Sequence, residues 1–215
     1  EFRRVLFRSD GHALFPIMPY LTYAKTLSDE DALSIVAYLR TLKPSNNNPG
    51  KTQVIFPVSM FIRAAPAPLE QSPPKAPAEG DVLARGQWLL AVASCGDCHT
   101  TMNEKHEPMP DTHYMAGGNK FAFGKSFVYS ANITSDQATG IGSYSDEDIL
   151  RVLEEGKTKS GRVLNVMPWS IYKGMTDADK KAVVAAVKQI PPITNAVPLA
   201  RSEEHTSELQ SQFRI

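Results

Sequence analysis

Apolar residues recur every three to four positions in two similar stretches of the chain. The first covers about 29–42 and the second about 177–189, and each ends close to a proline. Ser28 and Thr176 come immediately before these stretches, and an aspartate follows each of them three positions later, which is a signal for the start of a helix. The pattern therefore predicts two similar helices, each with one apolar face.

The two helices belong to a longer internal repeat. Both copies open with a methionine–proline pair, which is Met18-Pro19 in the first copy and Met167-Pro168 in the second. A tyrosine follows each methionine five positions later, and a proline follows each capping residue sixteen positions later. This repeat indicates two copies of one domain ending, of which only the second has the rest of a domain in front of it.

Two further helices are predicted between the copies. Residues 81–94 contain an apolar pattern, and Ser145 begins a second helix over 146–155 that Gly156 ends. The residues between these helices form a long stretch rich in Gly and aromatic residues, without a convincing run of alternating strands. We therefore predict an all-α fold: a small helical domain with long loops, preceded by the C-terminal piece of a second such domain.

The chain divides into five segments by composition. Residues 10–45 hold the first copy of the repeat, residues 46–79 form a Pro-rich linker of the extended kind, and residues 80–200 form the complete domain. Residues 1–9 and 201–215 resemble translated sequencing-adapter DNA, so we leave both ends out of the fold prediction.

Charge and hydropathy exclude several classes of protein. The 23 basic and 23 acidic residues balance, which does not favour nucleic-acid binding. The longest apolar stretch, 54–62, contains Pro57 and is too short to span a bilayer. No signal peptide opens the sequence, although its adapter-like beginning leaves open that one came before it.

The cysteine pattern is the main chemical signal. Cys95, Cys98 and His99 form the only C-x-x-C-H motif, and they include both cysteines of the chain. This is the attachment pattern of a c-type haem. Two thiols one helical turn apart can reach two vinyl groups on one porphyrin edge, and the adjacent histidine then becomes the proximal iron ligand.

Two other chemistries use the same residues. A dithiol redox site also has two cysteines separated by two residues, but no strand–helix–strand pattern surrounds this pair. A zinc site needs further ligands, but no second cysteine pair exists, and His106 and His113 could complete such a site only by chance.

A low-spin electron carrier needs a sixth iron ligand, which in cytochromes c is usually methionine. We favour Met167, because it lies in the loop before the last helix and is followed by a proline. Gap-filling in the core is the expected role of Met115 and Met175. The remaining candidates are Met102 and Met109.

Several linked motifs resemble one family. Residues 80–200 resemble the class I cytochrome c domain of the multi-haem cytochrome c subunits of bacterial membrane alcohol, aldehyde and gluconate-type dehydrogenases. Residues 10–50 resemble the end of the preceding haem domain, in which Met18 would ligate a haem outside this sequence. The matching segments are 83–86, 95–100, 116–118, 128–134, 139–142, 145–148 and 167–172.

The resemblance implies roles for further residues. Asn132 and Thr134 would approach the haem propionates, and Trp169 and Tyr172 would line the haem edge. Tyr144 stands where the family pattern has tryptophan, and the resemblance implies a haem contact for it as well.

Three residues outside that set are also implicated. Arg162 could face a propionate or be an exposed loop charge. Gly86 and Trp88 would pack the first helix of the domain against the last.

The implied function is electron transfer without substrate chemistry. One haem c would lie in this chain and two or more in the parent protein. A dehydrogenase catalytic subunit would donate electrons, and a quinone or an oxidase would accept them, in the periplasm or facing it, with any membrane anchor outside this sequence. The alternative is a haem protein with an open sixth site, such as a peroxidase or a small-ligand binder.

Residues 10–45 hold only the end of a domain. In solution they should therefore be poorly ordered or packed non-natively.

Overall fold

The chain consists of two compact units, Glu1–Pro77 and Ala78–Ile215. Among the described residues, no helix has the length and apolar character needed to cross a bilayer. The computed structural model describes residues 19–48, 50, 72–123, 126–198 and 201–202.

The first unit contains the helices α1 (Tyr20–Thr26) and α2 (Asp29–Thr41). Ser28 begins α2 as the sequence predicts. Its hydroxyl accepts a hydrogen bond from the Asp31 amide at 3.2 Å, and the Asp31 carboxylate accepts one from the Ser28 amide at 3.0 Å. This reciprocal capping box explains why α2 forms locally.

The described end of the Pro-rich segment contacts the beginning of α2. The Ser72 hydroxyl accepts a hydrogen bond from the Asp29 amide at 3.0 Å, and Lys75 forms an ion pair with Glu30. The end of the linker is therefore attached to the first unit. Several predicted features lie outside the described part of the chain. They are the adapter-like residues 1–9 and 203–215, Met18, and residues 51–71 of the linker.

The second unit holds the predicted complete domain. Its helices are α3 (Val82–Val92), α4 (Cys95–His99), α5 (Pro110–His113), α6 (Asp146–Glu155), α7 (Trp169–Tyr172) and α8 (Asp177–Lys188). The helices predicted for 81–94, 146–155 and 177–189 are confirmed. Gly156 ends α6 in the left-handed conformation, with φ of 64°.

The core of this unit forms where α3 crosses α8. A Cβ atom at Gly86 would lie 2.0 Å from the carbonyl oxygen of Ala182, so the two helices touch through their backbones. This confirms the predicted packing role of Gly86, and Trp88 packs against the same core. The buried residues of the cluster are Leu89, Leu90, Met115, Ile149, Leu153, Ala182, Val183, Val184, Ala186, Val187 and Ile190.

The two copies of the repeat differ at the cap of the last helix. The Thr176 hydroxyl accepts a hydrogen bond from the Asp179 amide at 3.1 Å, as Ser28 does with Asp31. The Asp179 carboxylate, however, pairs with Arg85 of α3 at 2.5 Å. The acid that closes a local cap in the first copy therefore joins two helices in the second.

The prediction of a purely helical domain is wrong in one region. Strands β1 (Lys120–Phe123) and β2 (Ser126–Tyr129) pair antiparallel, with Lys120 opposite Tyr129. Aromatic residues recur at every second position on both sides of Gly124-Lys125, and the long-loop interpretation overlooked that these residues favour strands. A short strand β3 (Arg201–Ser202) pairs with β2 and completes a small sheet.

Candidate functional site

A residue in the left-handed conformation separates α3 from α4. Ser94 has a φ of 56°, and the chain then restarts as a single helical turn that carries Cys95, Cys98 and His99. Both cysteines are free thiols and partly buried. The structure therefore presents two unpaired thiols one turn apart beside an imidazole, as the motif predicted.

The ring of His99 is oriented by a distant backbone carbonyl. Its Nδ1 lies 2.7 Å from the carbonyl oxygen of Ala131. A carbonyl oxygen only accepts hydrogen bonds, so Nδ1 carries the proton and Nε2 keeps its lone pair in the neutral ring. Burial lowers the pKa of His99, and the bond to Ala131 opposes that shift. The hydrogen bond to Ala131 and the burial of the ring both suit a metal-binding imidazole.

The sequence assigned Ala131 no role beyond its place in the matching segment 128–134. Its role is carried by a main-chain oxygen, which any residue type provides, and it lies 32 positions from His99. The backbone N–H of Gly117 also donates to the His99 carbonyl at 2.6 Å. The loop after α4 therefore folds back onto the histidine from two directions.

Three of the candidate methionines pack into the core of the second unit. Met115 is 1% exposed, which confirms its predicted role as a core residue. Met167 and Met175 are partly buried against the same cluster. The carbonyl of Met167 accepts a hydrogen bond from the Trp169 amide at 2.8 Å, which ties Met167 to the start of α7. The assignment of Met167 as the sixth ligand stays a prediction.

The other two candidates lie at the edge of the loop region. Met102 is 37% exposed and forms an isolated β-bridge with Pro108. Met109 caps α5, and its amide donates to the carbonyl of Thr101 at 2.9 Å.

Asn132 and Thr134 are buried and bonded to other parts of the chain. The Asn132 side-chain amide donates to Thr139 at 3.0 Å and to the carbonyl of Ile193 at 2.8 Å. Its oxygen accepts from the Thr134 amide and hydroxyl at 3.0 and 2.7 Å. These bonds attach the loop that contains Ala131 to the segment after α8. The propionate contacts of both residues stay predictions.

Trp169 and Tyr172, the two predicted haem-edge residues, are the first and last residues of α7. The Trp169 indole N–H donates to the carbonyl of Leu164 at 3.1 Å, and the Tyr172 hydroxyl donates to the carbonyl of Ala93 at 3.0 Å. A Cβ atom at Gly156 would lie 2.3 Å from the Trp169 indole. Tyr172 therefore links α7 to the residue just before Ser94.

Tyr144 and Arg162 are placed differently. Tyr144 packs partly buried against the core, and the Lys159 ammonium lies 5.8 Å from its ring centre. Arg162 is exposed, on a loop where its amide donates to the Thr158 hydroxyl at 3.1 Å. Their contacts with a haem stay predictions.

The burial of Cys95 disfavours the dithiol alternative. Reactive dithiols have a lowered thiol pKa, whereas burial, followed by the neighbouring charge of Cys98, raises the pKa of Cys95 to about 12. Within the described ranges, no three His, Cys, Asp or Glu side chains form a group able to bind a metal ion. The described part of the chain therefore gives the cysteine pair no zinc site.

Comparison with known proteins identifies several relatives that are cytochrome subunits of dehydrogenases. The chain is 33% identical over 214 residues to a "Fructose dehydrogenase cytochrome subunit" from Gluconobacter japonicus, which covers 95% of this chain and 43% of the relative. It is 28% identical over 203 residues to an "Alcohol dehydrogenase (quinone), cytochrome c subunit" from Gluconacetobacter polyoxogenes, which covers 86% and 42%. No family model matches the chain.

A third relative is a "Gluconate 2-dehydrogenase cytochrome c subunit" from Pantoea cypripedii, 29% identical over 197 residues, which covers 84% of this chain and 44% of the relative. The chain thus spans less than half the length of each of these three relatives. All three are cytochrome subunits and none is a catalytic subunit. The chain is homologous to the cytochrome c subunits of bacterial fructose, alcohol and gluconate dehydrogenases.

Proposed function

We propose that the second unit is a cytochrome c domain that carries electrons on one covalently bound haem. Cys95 and Cys98 would hold the haem through thioether bonds, and His99 and Met167 would ligate its iron. The observation that carries this proposal is the hydrogen bond from His99 Nδ1 to the backbone carbonyl of Ala131. It leaves Nε2 available as an iron ligand, directly beside two free thiols.

The residues of the motif fit a c-type haem. Both thiols are unpaired, so neither is lost to a disulfide, and one helical turn separates them. A bound haem would supply a one-electron change between ferrous and ferric iron. The protein's part is to hold the imidazole through Ala131 and to exclude water by packing. A methionine ligand raises the reduction potential.

Five more residues would complete the haem environment. Their support comes from the family resemblance, together with the packing of Tyr144 and Tyr172 against the core of the second unit. Asn132 and Thr134 would contact the haem propionates. Trp169 and Tyr172 would line the haem edge, and Tyr144 would make a further haem contact.

The first unit would be the end of a preceding domain of the same kind. Since Ser28 and Thr176 are equivalent caps, Ile35 corresponds to Val183, and Leu39 corresponds to Val187. The two α8 residues are 4% and 5% exposed, whereas their α2 equivalents are 44% and 54% exposed. A helix like α3, located before this sequence in the parent protein, would cover that face. Met18 would ligate the haem of that domain, which gives the parent two or more haems.

The partners follow from the relatives' names. A dehydrogenase catalytic subunit would reduce the haem, since the relatives are cytochrome subunits of dehydrogenases. The electrons would pass to a quinone or an oxidase. Covalent haem attachment requires a periplasmic or otherwise oxidising maturation route, so the domain would work in the periplasm or on a periplasm-facing membrane surface.

The test is covalent haem content together with redox behaviour. The full chain would be produced with a c-type haem maturation system, denatured and analysed by intact mass, beside Cys95→Ala/Cys98→Ala. We expect one haem to remain on the denatured wild type and none on the variant, and the native wild type to be oxidised and reduced reversibly by one electron. A wild-type chain that loses its haem on denaturation would contradict the proposal.

A further inference from the structure

The side chain of Asn119 binds the backbone on both sides of His99. Its amide nitrogen donates to the carbonyl of Cys98 at 2.9 Å and to the carbonyl of Thr100 at 2.7 Å. Its oxygen accepts from the amide of Met102 at 2.9 Å. Both donor hydrogens and the acceptor oxygen are therefore used on the backbone around the histidine.

The backbone of Asn119 is joined to the residue before Ala131. Its amide donates to the Ser130 hydroxyl at 3.0 Å, and the Ser130 amide donates to the Asn119 carbonyl at 2.9 Å. Because Ala131 supplies the carbonyl that orients the His99 ring, one residue connects both ends of that hydrogen bond.

Burial makes this connection rigid. Asn119 is 9% exposed and Ser130 is 8% exposed, so water does not readily replace these hydrogen bonds. Metal-bound histidines depend on such outer contacts for their orientation and basicity.

We propose that Asn119 is the positioning residue of the proximal ligand: it fixes the backbone on both sides of His99 relative to the Ala131 carbonyl, and so sets the orientation of the imidazole on the iron. This inference rests on the proposed function, since the orientation matters only if His99 binds haem iron. Neither the cysteine motif nor the predicted propionate and edge residues include this position.

The test compares two substitutions with a matched control. Asn119→Ala removes all three side-chain hydrogen bonds, whereas Asn119→Asp keeps the shape and the acceptor for Met102 but removes both donors. Asn195→Ala is the control, because that amide donates to the carbonyl of Ala116 at 2.9 Å and has no described bond to the residues beside His99.

Two readouts by proton NMR report on the imidazole rather than on stability alone. One is the solvent exchange rate of the His99 ring N–H in the ferrous holoprotein. The other is the pattern of shifted haem-methyl resonances in the ferric holoprotein, which depends on the orientation of the axial ligands. We expect about tenfold faster exchange or more in both Asn119 variants, with a changed methyl pattern, and neither change in the control.

Three results would overturn the inference. If haem is bound in the wild type and both Asn119 variants show unchanged exchange rates and methyl patterns, the positioning role of Asn119 is overturned. The proposed function is then unaffected. Equal changes in Asn195→Ala and the Asn119 variants would do the same, since they would indicate a general loosening of the loop. A wild-type chain without haem would overturn the proposed function and this inference with it.

Discussion

The carbonyl of Ala182 occupies the position that a side chain at Gly86 would need. A Cβ atom there would lie 2.0 Å from the Ala182 oxygen and 2.7 Å from the Ala186 Cβ. Both distances are far below van der Waals contact, so α3 and α8 can cross this closely only because residue 86 has no side chain.

Gly86→Ala should therefore destabilise the second unit. Alanine favours a helix over glycine by about 1 kcal/mol, but the clash forces two packed helices apart, and we expect a net loss of about 2 kcal/mol or more. Gly80→Ala is the control, because nothing lies within 4 Å of its added Cβ. Denaturant unfolding measures the free energy of unfolding of both variants. Equal values for Gly86→Ala and Gly80→Ala would contradict the close crossing of α3 and α8.

The ion pair between Arg85 and Asp179 makes stability depend on pH. Their side chains are only 18% and 14% exposed, and the hydrogen bond from Arg85 lowers the pKa of Asp179 below its ordinary 3.8. The pair's contribution is therefore complete above about pH 4 and is lost as the pH falls through the lowered pKa.

Asp179→Asn should lower the free energy of unfolding by about 2 kcal/mol at pH 7. The difference from wild type should shrink as the pH falls below about 4. Glu155→Gln is the control, because its pair with Lys157 is about half exposed and should matter little. A difference that stays constant down to pH 2 would exclude the ion pair as its cause.

Asn132→Ala should act first on stability. The substitution removes the hydrogen bonds of Asn132 with the part-buried carbonyl of Ile193 and with the buried amide and hydroxyl of Thr134, and we expect the free energy of unfolding to fall by about 3 kcal/mol. Asn103→Ala serves as the comparison, since its side chain bonds only within an exposed turn. If Asn132→Ala and Asn103→Ala have the same free energy of unfolding, the buried hydrogen bonds of Asn132 do not stabilise the fold.

The helices α2 and α8 should differ sharply in hydrogen exchange. None of the α2 residues is buried, whereas α8 lies in the core. Mass spectrometry of deuterated peptides should show rapid exchange in α2 and slow exchange in α8, which reflects global unfolding. Slow exchange in α2 would contradict the proposal that its apolar face lacks its normal partner in this chain.

Local signals in the sequence predicted most of the helices. Ser28, Ser145 and Thr176 each accept the backbone hydrogen bond that a cap requires, because capping depends only on residues within one turn. The β1–β2 hairpin has a local signal as well, but the Gly and aromatic residues around it were attributed to loops.

The site was predicted only as far as side-chain chemistry reveals it. Cys95, Cys98 and His99 are adjacent in sequence, so their motif is visible. Ala131 acts through its backbone, so its place in the matching segment 128–134 does not reveal its role. Asn119 acts across 19 to 21 positions and lies outside every matching segment. Contacts of this kind depend on how the loops fold over α4.

The proposed function predicts a low-spin haem ligated by His99 and Met167. Its most direct test is the visible and near-infrared absorption of the holoprotein, oxidised and reduced, for wild type, Met167→Ala and Met175→Ala. We expect a low-spin c-type spectrum whose thioether–iron charge-transfer band disappears in Met167→Ala and persists in Met175→Ala. A band that survives in Met167→Ala would contradict the assignment, and a high-spin wild type would point instead to a haem with an open sixth site.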